Sequence, residues 1–446
     1  MSASFLNRRG FLQASARASA SAAVVGASPY VWIRRSHAAA NDQLNVAAIG
    51  VGGRGSGIGH QAGSMANMVA CADVHLGNAE RFASKYEGKC DVYQDYRKII
   101  ERDDVDAITC GTPDHWHTKI VIDAMEAGKH VYCEKPLTLT IDESRQIMDA
   151  TERTGKIFQV GTQQRSEYGQ MFLKAIAIAR QGILGDQLHA VSSIGTANSG
   201  GPFPTEQPPQ NLNFDFWLGQ APVVEFCPRR IGFDFRWWLE YSGGQVTDWG
   251  VHHTDIALWA LGGEDRGVVE AEGTGEFPGI PAGTDLASFL DGDVKLPNAY
   301  NVAHSFDCNL KLENGNTINL VSGKNELILA GEKGRIRVNR GSLTGKPVEA
   351  LMKDPKQVEW LNEEVHRLYR GMPLEGHMAN FLHCIKSNEK PISDVWTHCN
   401  AVNACHIANI AMFVNRKVQF DPDQYDFIGD EQASRFIKRK PRETWS

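Results

Sequence analysis

Two residues on one predicted helix have the types and spacing needed for acid-base chemistry. Asp248 and His252 are four positions apart, so on a helix they share one face. A carboxylate beside an imidazole orients the ring and stabilises its charged form, as a general base requires. The same spacing is also common in purely structural helices, so its meaning depends on a partner motif.

A candidate partner is Lys135, in the stretch His130–Thr140, where a short apolar run ends in Glu134, Lys135 and Pro136. Ligands collect at the carboxyl ends of strands in open α/β sheets, so an acid and an amine at this point are well placed for chemistry. A partly desolvated ammonium group can titrate or donate a hydrogen bond to a substrate oxygen. A solvated strand end is the alternative, because Lys and Glu are usually surface residues.

A glycine-rich turn follows the first predicted strand, Leu44–Ile49, and reads Gly-x-Gly-x-x-Gly. The second strand ends at Asp73, near the spacing at which a carboxylate holds ribose hydroxyls. Glycines let the backbone approach a pyrophosphate, and the next helix offers free N–H groups. A flexible linker would not be bracketed by two strands with an acid after the second. The dinucleotide contacts predicted in this turn are Gly50, Gly52, Gly53, Arg54 and Gly55.

Strands and helices alternate over residues 44–160, which predicts a parallel doubly wound sheet. Its third clear strand ends in Gly111–His117, where a nicotinamide ribose would pass. The same turn suits a helix start capped by Thr112 or Asp114. The further cofactor contacts predicted are Asp73, Thr112, Pro113, His117, Glu134 and Lys135.

Five ordered motifs in residues 44–165 resemble those of the Gfo/Idh/MocA oxidoreductases, the group of glucose-fructose oxidoreductase and inositol dehydrogenase. They are the glycine-rich turn, the Ala-Asp of the second strand, Thr-Pro-x-x-x-His, Ala-Gly-Lys-His-Val and Glu-Lys-Pro-Leu. Gly243-Gly244 followed by Asp-x-Gly-x-His-x-x-Asp resembles the second domain of the same family. The resemblance implies that Lys135, Asp248 and His252 form the catalytic set and that the Lys135–Pro136 bond is cis.

The periodicity changes after residue 162. An irregular stretch rich in Pro, Trp, Phe and Arg suits sugar rings, although a small secondary core under a long loop would have a similar composition. Alternating apolar residues and turn glycines from Gly267 to Gly341 predict an antiparallel sheet that packs on the core or on another subunit. The tail is predicted to be helical. The substrate contacts predicted in this half are Gln163, Arg165, Trp237 and His253.

The predicted organisation is an α/β protein in three parts. Residues 1–40 are a twin-arginine signal peptide, 41–162 an NAD(P)-binding Rossmann domain, and 163–446 a substrate-binding α+β domain with a largely antiparallel sheet and C-terminal helices. Asn7–Gln13 resembles the export motif, and an alanine- and serine-rich run follows it up to Ala38-Ala39-Ala40, which fits a cleavage site. A chance Arg-Arg before an alanine-rich tail is the alternative. The signal predicts a periplasmic or otherwise exported protein.

Composition excludes several other classes of protein. The net charge of -7 and the lack of a basic stripe argue against nucleic acid as a partner. No segment after the signal reaches the ~18 to 20 apolar residues of a membrane span. The nine cysteines are scattered and form no Cys-x-x-Cys pair, so we expect reduced packing residues. His383, His398 and His406 lack metal-ligand spacing, and no metal is expected.

The sequence therefore predicts an NAD-dependent oxidoreductase acting on a sugar, cyclitol or related polyol. His252 would exchange the hydroxyl proton, Asp248 would orient His252, and Lys135 would bond the same oxygen. Asp73 favours NAD, although Arg54 leaves NADP possible. Two alternatives are a redox-neutral enzyme that cleaves or eliminates glycosides, with tightly held NAD, and a non-catalytic dinucleotide-binding protein. A homo-oligomer formed through the C-terminal sheet is also expected.

Overall fold

Six parallel strands form the first sheet in this computed structural model, which describes residues 43–442. They are β1 (Asn45–Ile49), β2 (Asn67–Ala72), β3 (Asp91–Tyr93), β4 (Ala107–Cys110), β5 (His130–Cys133) and β6 (Phe158–Val160). Their order is β3-β2-β1-β4-β5-β6, so the direction of winding reverses between β1 and β4, where ligands bind in such sheets. The predicted doubly wound parallel sheet is confirmed. The predicted signal peptide lies outside the described residues.

Five helices connect these strands. They are α1 (Gly53–Gly63), α2 (Leu76–Ala83), α3 (Arg97–Ile100), α4 (Asp114–Glu126) and α5 (Ile141–Thr154). α5 shows why the sequence folds locally in this way. The Thr140 side chain accepts a hydrogen bond from the Glu143 backbone, and Glu143 bonds back to Thr140 in a capping box. The helix ends at Gly155, whose φ of 61° is the left-handed conformation that glycine adopts easily.

Nine strands form the second sheet. They are β7 (Leu188–Ile194), β8 (Val268–Glu276), β9 (Ser305–Leu312), β10 (Thr317–Ser322), β11 (Glu326–Gly331), β12 (Gly334–Val338), β13 (Leu343–Thr344), β14 (Val418–Asp421) and β15 (Asp426–Phe427). Their order is β13-β12-β11-β7-β10-β9-β8-β14-β15. The predicted antiparallel pairing is confirmed for most neighbours, while β7 and β10 run parallel. β9 alternates buried and exposed residues, which is typical of a sheet with one face on the core.

Ten further α-helices follow β6 within residues 43–442. They are α6 (Met171–Arg180), α7 (Phe214–Leu218), α8 (Gln245–Asp248), α9 (Gly250–Ala260), α10 (Leu286–Leu290), α11 (Lys346–Leu351), α12 (Pro355–Leu368), α13 (His377–Ser387), α14 (Val395–Val414) and α15 (Glu431–Ser434). α14 is buried along almost its whole length, which accounts for its apolar composition on every face. Asp394 caps its start by accepting from the Thr397 backbone.

The helix predicted to run from the Gly243-Gly244 pair to Gly262 is divided at Trp249 into α8 and α9. At the junction the His252 backbone N–H donates to the Trp249 carbonyl, three residues back, which tightens the turn. Asp248 therefore ends one helix while His252 lies in the first turn of the next.

All nine cysteines are buried and unpaired, which confirms the prediction of reduced packing residues. Within residues 43–442, no helix is long and apolar enough to cross a membrane.

Candidate active site

A cleft of about 740 Å³ follows the carboxyl ends of the first sheet and continues under the segment 231–236. At one end it is lined by Asp73 and at the other by Lys135, Asp248 and His252. This volume is within the range of small-molecule and cofactor sites. The structure thus brings the three predicted catalytic residues together at one end of a single cleft.

The glycine turn forms the middle of this cleft. Gly50 has a φ of 73°, and a Cβ there would lie 2.6 Å from a Thr112 side-chain carbon, so the close approach requires glycine. Gly52 starts α1 without any side-chain cap, which leaves N–H groups of the first turn available to an anion. Gly53 has open space around it. Gly55 was predicted to contact the cofactor but does not line the cleft. It lies behind the turn, where the lack of a side chain lets α1 pack against Gly50.

Asp73 lies at the end of β2 with both carboxylate oxygens engaged by the turn. Oδ2 accepts from the Val51 N–H at 2.9 Å, and Oδ1 accepts from the His75 N–H at 2.9 Å. Burial raises the pKa of Asp73, and the hydrogen bonds from His75, Asn78 and Val51 oppose that shift. The carboxylate is therefore held rigidly at the edge of the cleft, where it fits the ribose of a bound dinucleotide.

Arg54, which could have bound the 2'-phosphate of NADP, instead pairs with Glu134. Its Nε donates to Glu134 Oε1 at 2.9 Å, and the same oxygen accepts from Gln163 Nε2 at 3.0 Å. Gln163 also donates to the Tyr132 hydroxyl at 3.0 Å. A Cβ on Gly161 would lie 2.8 Å from the Glu134 carboxyl, so this glycine makes room for the buried acid. Gln163 lines the cleft as predicted, but its amide nitrogen is occupied by Glu134 and Tyr132.

Lys135 and Asp248 form a buried ion pair between the two halves of the site. Lys135 Nζ lies 2.7 Å from Asp248 Oδ1 and 2.7 Å from the Asp248 carbonyl oxygen. An ammonium group has three N–H donors, so one remains for a substrate oxygen. Burial acts to raise the pKa of Asp248, but the charges of Lys135 and Arg236 lower it below its ordinary value. The Lys135–Pro136 bond is cis, as the family resemblance implied.

His252 lines the same end of the cleft, and neither ring nitrogen has a hydrogen-bond partner within the described part of the chain. Burial lowers its pKa well below the ordinary value, and the charges of Lys135 and Arg340 add to that effect. The ring is therefore neutral and able to accept a proton. The predicted orientation of His252 by Asp248 is not observed as a direct hydrogen bond, because Asp248 is bonded to Lys135 and Arg236.

Three of the four predicted substrate contacts do not line the cleft. Arg165 is buried in a bidentate pair with Asp255, at 2.7 and 2.6 Å. His253 Nε2 lies 2.7 Å from the Asn325 side-chain oxygen, and His253 is not among the residues that line the cleft. Trp237 is 3% exposed and belongs to a secondary aromatic core. Each of the three side chains is held by contacts within the fold, and none of them lines the cleft.

His117, predicted as a cofactor contact, lies behind the cleft wall. Its Nδ1 is 2.8 Å from the Pro136 carbonyl and its Nε2 is 3.0 Å from the Thr112 carbonyl. The ring thereby connects two loops that line the site. Cys110, His117 and Cys133 place one potential metal-ligand atom each within 4.8 Å of one another. Because both ring nitrogens already face carbonyl oxygens, we interpret this cluster as packing beneath the site.

Several residues that line the cleft were not predicted from the sequence, and three charged ones among them matter for the chemistry. Asp114 was considered only as a helix cap, yet its buried Oδ2 has no partner. Burial raises the pKa of Asp114 to about 7, although a hydrogen bond from Ser242 and the charge of Arg236 oppose the shift. Arg236 lines the cleft, whereas its neighbour Trp237 was predicted from the sequence as a substrate contact. Arg340 lies just after β12, where the sequence offered no signal.

The glycine turn, the acid after β2 and the Lys-Asp-His end of the cleft define a dinucleotide-binding oxidoreductase site. The comparisons agree with this class. The oxidoreductase family with an NAD-binding Rossmann fold matches residues 44–162, and the C-terminal alpha/beta domain of the oxidoreductase family matches residues 199–276 and 355–446. The chain belongs to the Gfo/Idh/MocA oxidoreductase family.

Similar proteins of known name match parts of the chain. A glycosyl hydrolase family 109 protein of Shewanella pealeana is 35% identical over 161 residues, 33% of this chain and 34% of the relative. An alpha-N-acetylgalactosaminidase of Shewanella oneidensis is 42% identical over 94 residues, 21% of this chain and 20% of the relative. The chain thus matches no more than about a third of the length of these curated relatives.

Solved structures share the fold over most of their length. The aldose-aldose oxidoreductase of Caulobacter crescentus has a TM-score of 0.58 at 18% identity, covering 85% of this chain and 100% of that one. The WlbA dehydrogenase of Bordetella pertussis, solved with NADH and UDP-GlcNAcA, has a TM-score of 0.59 at 18% identity, covering 85% and 99%.

Proposed function

We propose that this protein is an NAD-dependent oxidoreductase that acts on a CH–OH group of a sugar, cyclitol or related polyol. The observation that carries the proposal is the convergence of Lys135, Asp248 and His252 at one end of a cleft whose middle is the glycine turn. Bound NAD would supply the hydride acceptor, which no side chain can provide. Gly50, Gly52, Gly53 and Asp73 would hold it.

The chain's own residues then handle the proton and the oxygen. Neutral His252 takes the hydroxyl proton. The free N–H of Lys135 bonds the same oxygen and stabilises the charge that develops on it. Asp248 holds Lys135 in place through its carboxylate and its carbonyl oxygen, so its role is positioning Lys135 rather than His252. Arg236 Nε donates to the same oxygen, Asp248 Oδ1, at 3.2 Å.

The coenzyme proposed is NAD rather than NADP. A 2'-phosphate would meet the Asp73 carboxylate, where like charges repel. Arg54 cannot offset that repulsion while it is paired with Glu134.

The test is to purify the full chain without added cofactor and look for bound dinucleotide by mass spectrometry. A panel of sugars and polyols is then supplied with NAD, and reduced nicotinamide is followed by its absorbance. His252→Asn should abolish reduction, whereas His383→Asn should not, because His383 lies outside the cleft and pairs with Glu389. A chain that binds neither NAD nor NADP would refute the proposal.

A second candidate is redox-neutral cleavage of a glycoside. Besides a hydride acceptor, such a reaction needs a proton donor for the leaving group, and Asp114 offers a carboxyl with a free oxygen in the cleft. The names of the Shewanella relatives favour the same substrate class. Release of the aglycone from an aryl glycoside with no net formation of reduced nicotinamide would select this candidate over the first.

We further propose export by the twin-arginine route, supported by Asn7–Gln13 and Ala38-Ala39-Ala40. Because free NAD is scarce outside the cytoplasm, an exported enzyme would need to retain it, since a weakly held ligand is lost at low concentration. Retention of the coenzyme would also fit a redox-neutral cycle. Purification from a periplasmic fraction, followed by assay for bound dinucleotide, tests both points.

The exposed face of the second sheet supports a proposal of self-association. Asp307, Asn309 and Lys311 alternate along β9 on that face, so an interface there would be polar. Light scattering on the purified protein measures the number of subunits.

A further inference from the structure

Arg340 is the one permanent cation lining the cleft that has no counter-ion within residues 43–442. The other three are each paired with a buried carboxylate: Arg54 with Glu134, and Lys135 and Arg236 with Asp248. The guanidinium of Arg340 makes no hydrogen bond in that range, and its Nε is buried without a partner. A buried N–H donor without an acceptor lowers the stability of the folded protein. A bound ligand with an acceptor oxygen would satisfy this donor.

Two aromatic rings fix the position of this guanidinium. The Arg340 Cζ lies 4.8 Å from the ring centroid of Tyr168 and 4.4 Å from that of Trp249. Cation–π contacts of this kind stabilise the charge from its faces. They leave the N–H groups at the edge of the guanidinium plane free to bind an acceptor.

Arg340 belongs to the substrate end of the cleft. Trp249 also packs against His252, with ring centroids 5.5 Å apart, so one indole contacts both side chains. The charge of Arg340 contributes to the lowered pKa of His252. A ligand group at Arg340 would therefore be part of the molecule whose hydroxyl faces His252.

The surrounding charges indicate which anion fits. The carboxyls of Glu167 and Glu134 act on Arg340, but neither is within ion-pair distance of it in the described chain. A monoanion with two coplanar oxygens matches the fork of a single guanidinium. A phosphate carries nearly two charges and would meet the carboxyl of Glu167 with only one free cation to bind it, because Arg54 and Glu134 already pair with each other. A carboxylate is therefore favoured.

We propose that Arg340 binds a carboxylate of the substrate, so that the enzyme acts on a hexuronate or a hexuronate glycoside. This inference rests on the proposed oxidoreductase function and assigns the substrate class to the same site. Arg340 would thereby be a specificity-determining residue, while the proton transfer stays with His252.

The experiment compares matched substrates that differ only at the acidic group. Methyl glucosides, methyl glucuronides and methyl glucoside 6-phosphates, with their galacto counterparts, are assayed with NAD on the full chain and on Arg340→Gln and Arg340→Lys. Arg335→Gln is the control, because this arginine is exposed on β12 and removes the same charge outside the cleft. Calorimetry of glucuronate and galacturonate binding to each NAD-loaded protein gives a readout that does not depend on turnover.

We expect the uronates to be preferred over their neutral partners. Arg340→Gln should lower kcat/KM for the uronate by about 10- to 100-fold, the loss of a charge-assisted hydrogen-bonded pair. The neutral substrate should change little, Arg340→Lys should recover part of the loss, and Arg335→Gln should behave as wild type.

Several outcomes would overturn the inference. Equal losses for acidic and neutral substrates would make Arg340 a general structural residue, and weaker NAD binding in Arg340→Gln would assign it to the cofactor. A preference for the 6-phosphate would show that Arg340 binds a phosphate group rather than a carboxylate. Oxidation of neutral sugars with no preference for uronates would refute it and leave the proposed function intact. Arg340-dependent binding of uronates without any oxidation would instead refute the proposed function and keep the anion site.

Discussion

Replacing Lys135 with methionine tests both the ion pair and the chemistry proposed for it. Lys135 and Asp248 are 12% and 8% exposed, and their charged atoms are 2.7 Å apart. Removing one partner of a buried pair typically costs about 3 to 5 kcal/mol of the free energy of unfolding. Because Arg236 still contacts Asp248 at 3.2 Å, we expect about 3 kcal/mol, the lower end of that range. Loss of the donor to the substrate oxygen should also lower kcat by about 10²- to 10³-fold.

The pH dependence of the variant follows from the Asp248 carboxyl. In the native protein its pKa is lowered, so its stabilising contribution is present above the unfolded value of about 3.9 and is lost as the pH falls through the folded pKa. Without Lys135, burial dominates and raises the Asp248 pKa relative to the native protein. The stability deficit of the variant should then be largest near neutral pH and smaller near about pH 5, where the carboxyl is more often protonated.

Urea unfolding of the wild type, Lys135→Met, Asp248→Asn and the double variant measures these quantities. The double variant should be less destabilised than the sum of the two single variants, because each substitution removes the same interaction. Lys98→Met, which breaks an exposed pair with Glu101, should change stability little. Additive single effects, or a Lys135→Met protein as stable as the wild type, would refute the ion pair.

Four further substitutions test other parts of the site. Asp73→Asn should narrow the preference for NAD over NADP, measured by the two dissociation constants. His252→Asn should lower kcat by about 10²- to 10⁴-fold with unchanged NAD affinity. Asp114→Asn should remove an ionisation near pH 7 from the pH–rate profile. The pKa of Asp114 is higher in the folded than in the unfolded protein, so the free energy of unfolding of the wild type should fall as the pH rises from about 4 to 7. The variant should lack that slope. Arg165→Gln should cost about 3 to 5 kcal/mol of stability by leaving Asp255 unpaired.

Much of the first sheet was predictable because its signals are local. Apolar runs, glycine turns and helix caps such as Thr140 are readable within a few residues. The edge strand β3 was missed because its three residues are half-buried or exposed and show no alternation. The division of one predicted helix at Trp249 depends on packing across the cleft, which has no counterpart in the helical pattern.

The site was predictable where a residue type has one common use at its position, as the glycines at the strand end do. Lys135 has no such single use, and its assignment depended on the resemblance to the family. Arg165 and Trp237 lie outside the cleft lining because burial decides between a contact with substrate and a contact with the core, and burial is set by residues distant in sequence. The position of Arg340 in the cleft could not be predicted for the same reason, since only the fold brings the end of β12 beside Trp249.

The long helix α14 limits how this enzyme can open and close. It packs against α5 beside the first sheet and against β8 of the second, and the Val160 N–H at the end of β6 bonds the Ser393 carbonyl just before it. Rotation of one sheet relative to the other about a hinge would therefore have to break the contacts of α14 with α5 or with β8. Substrate entry without that rotation would require movement of the segment 231–236. This segment lines the cleft, belongs to neither sheet and includes Phe233, which is 67% exposed.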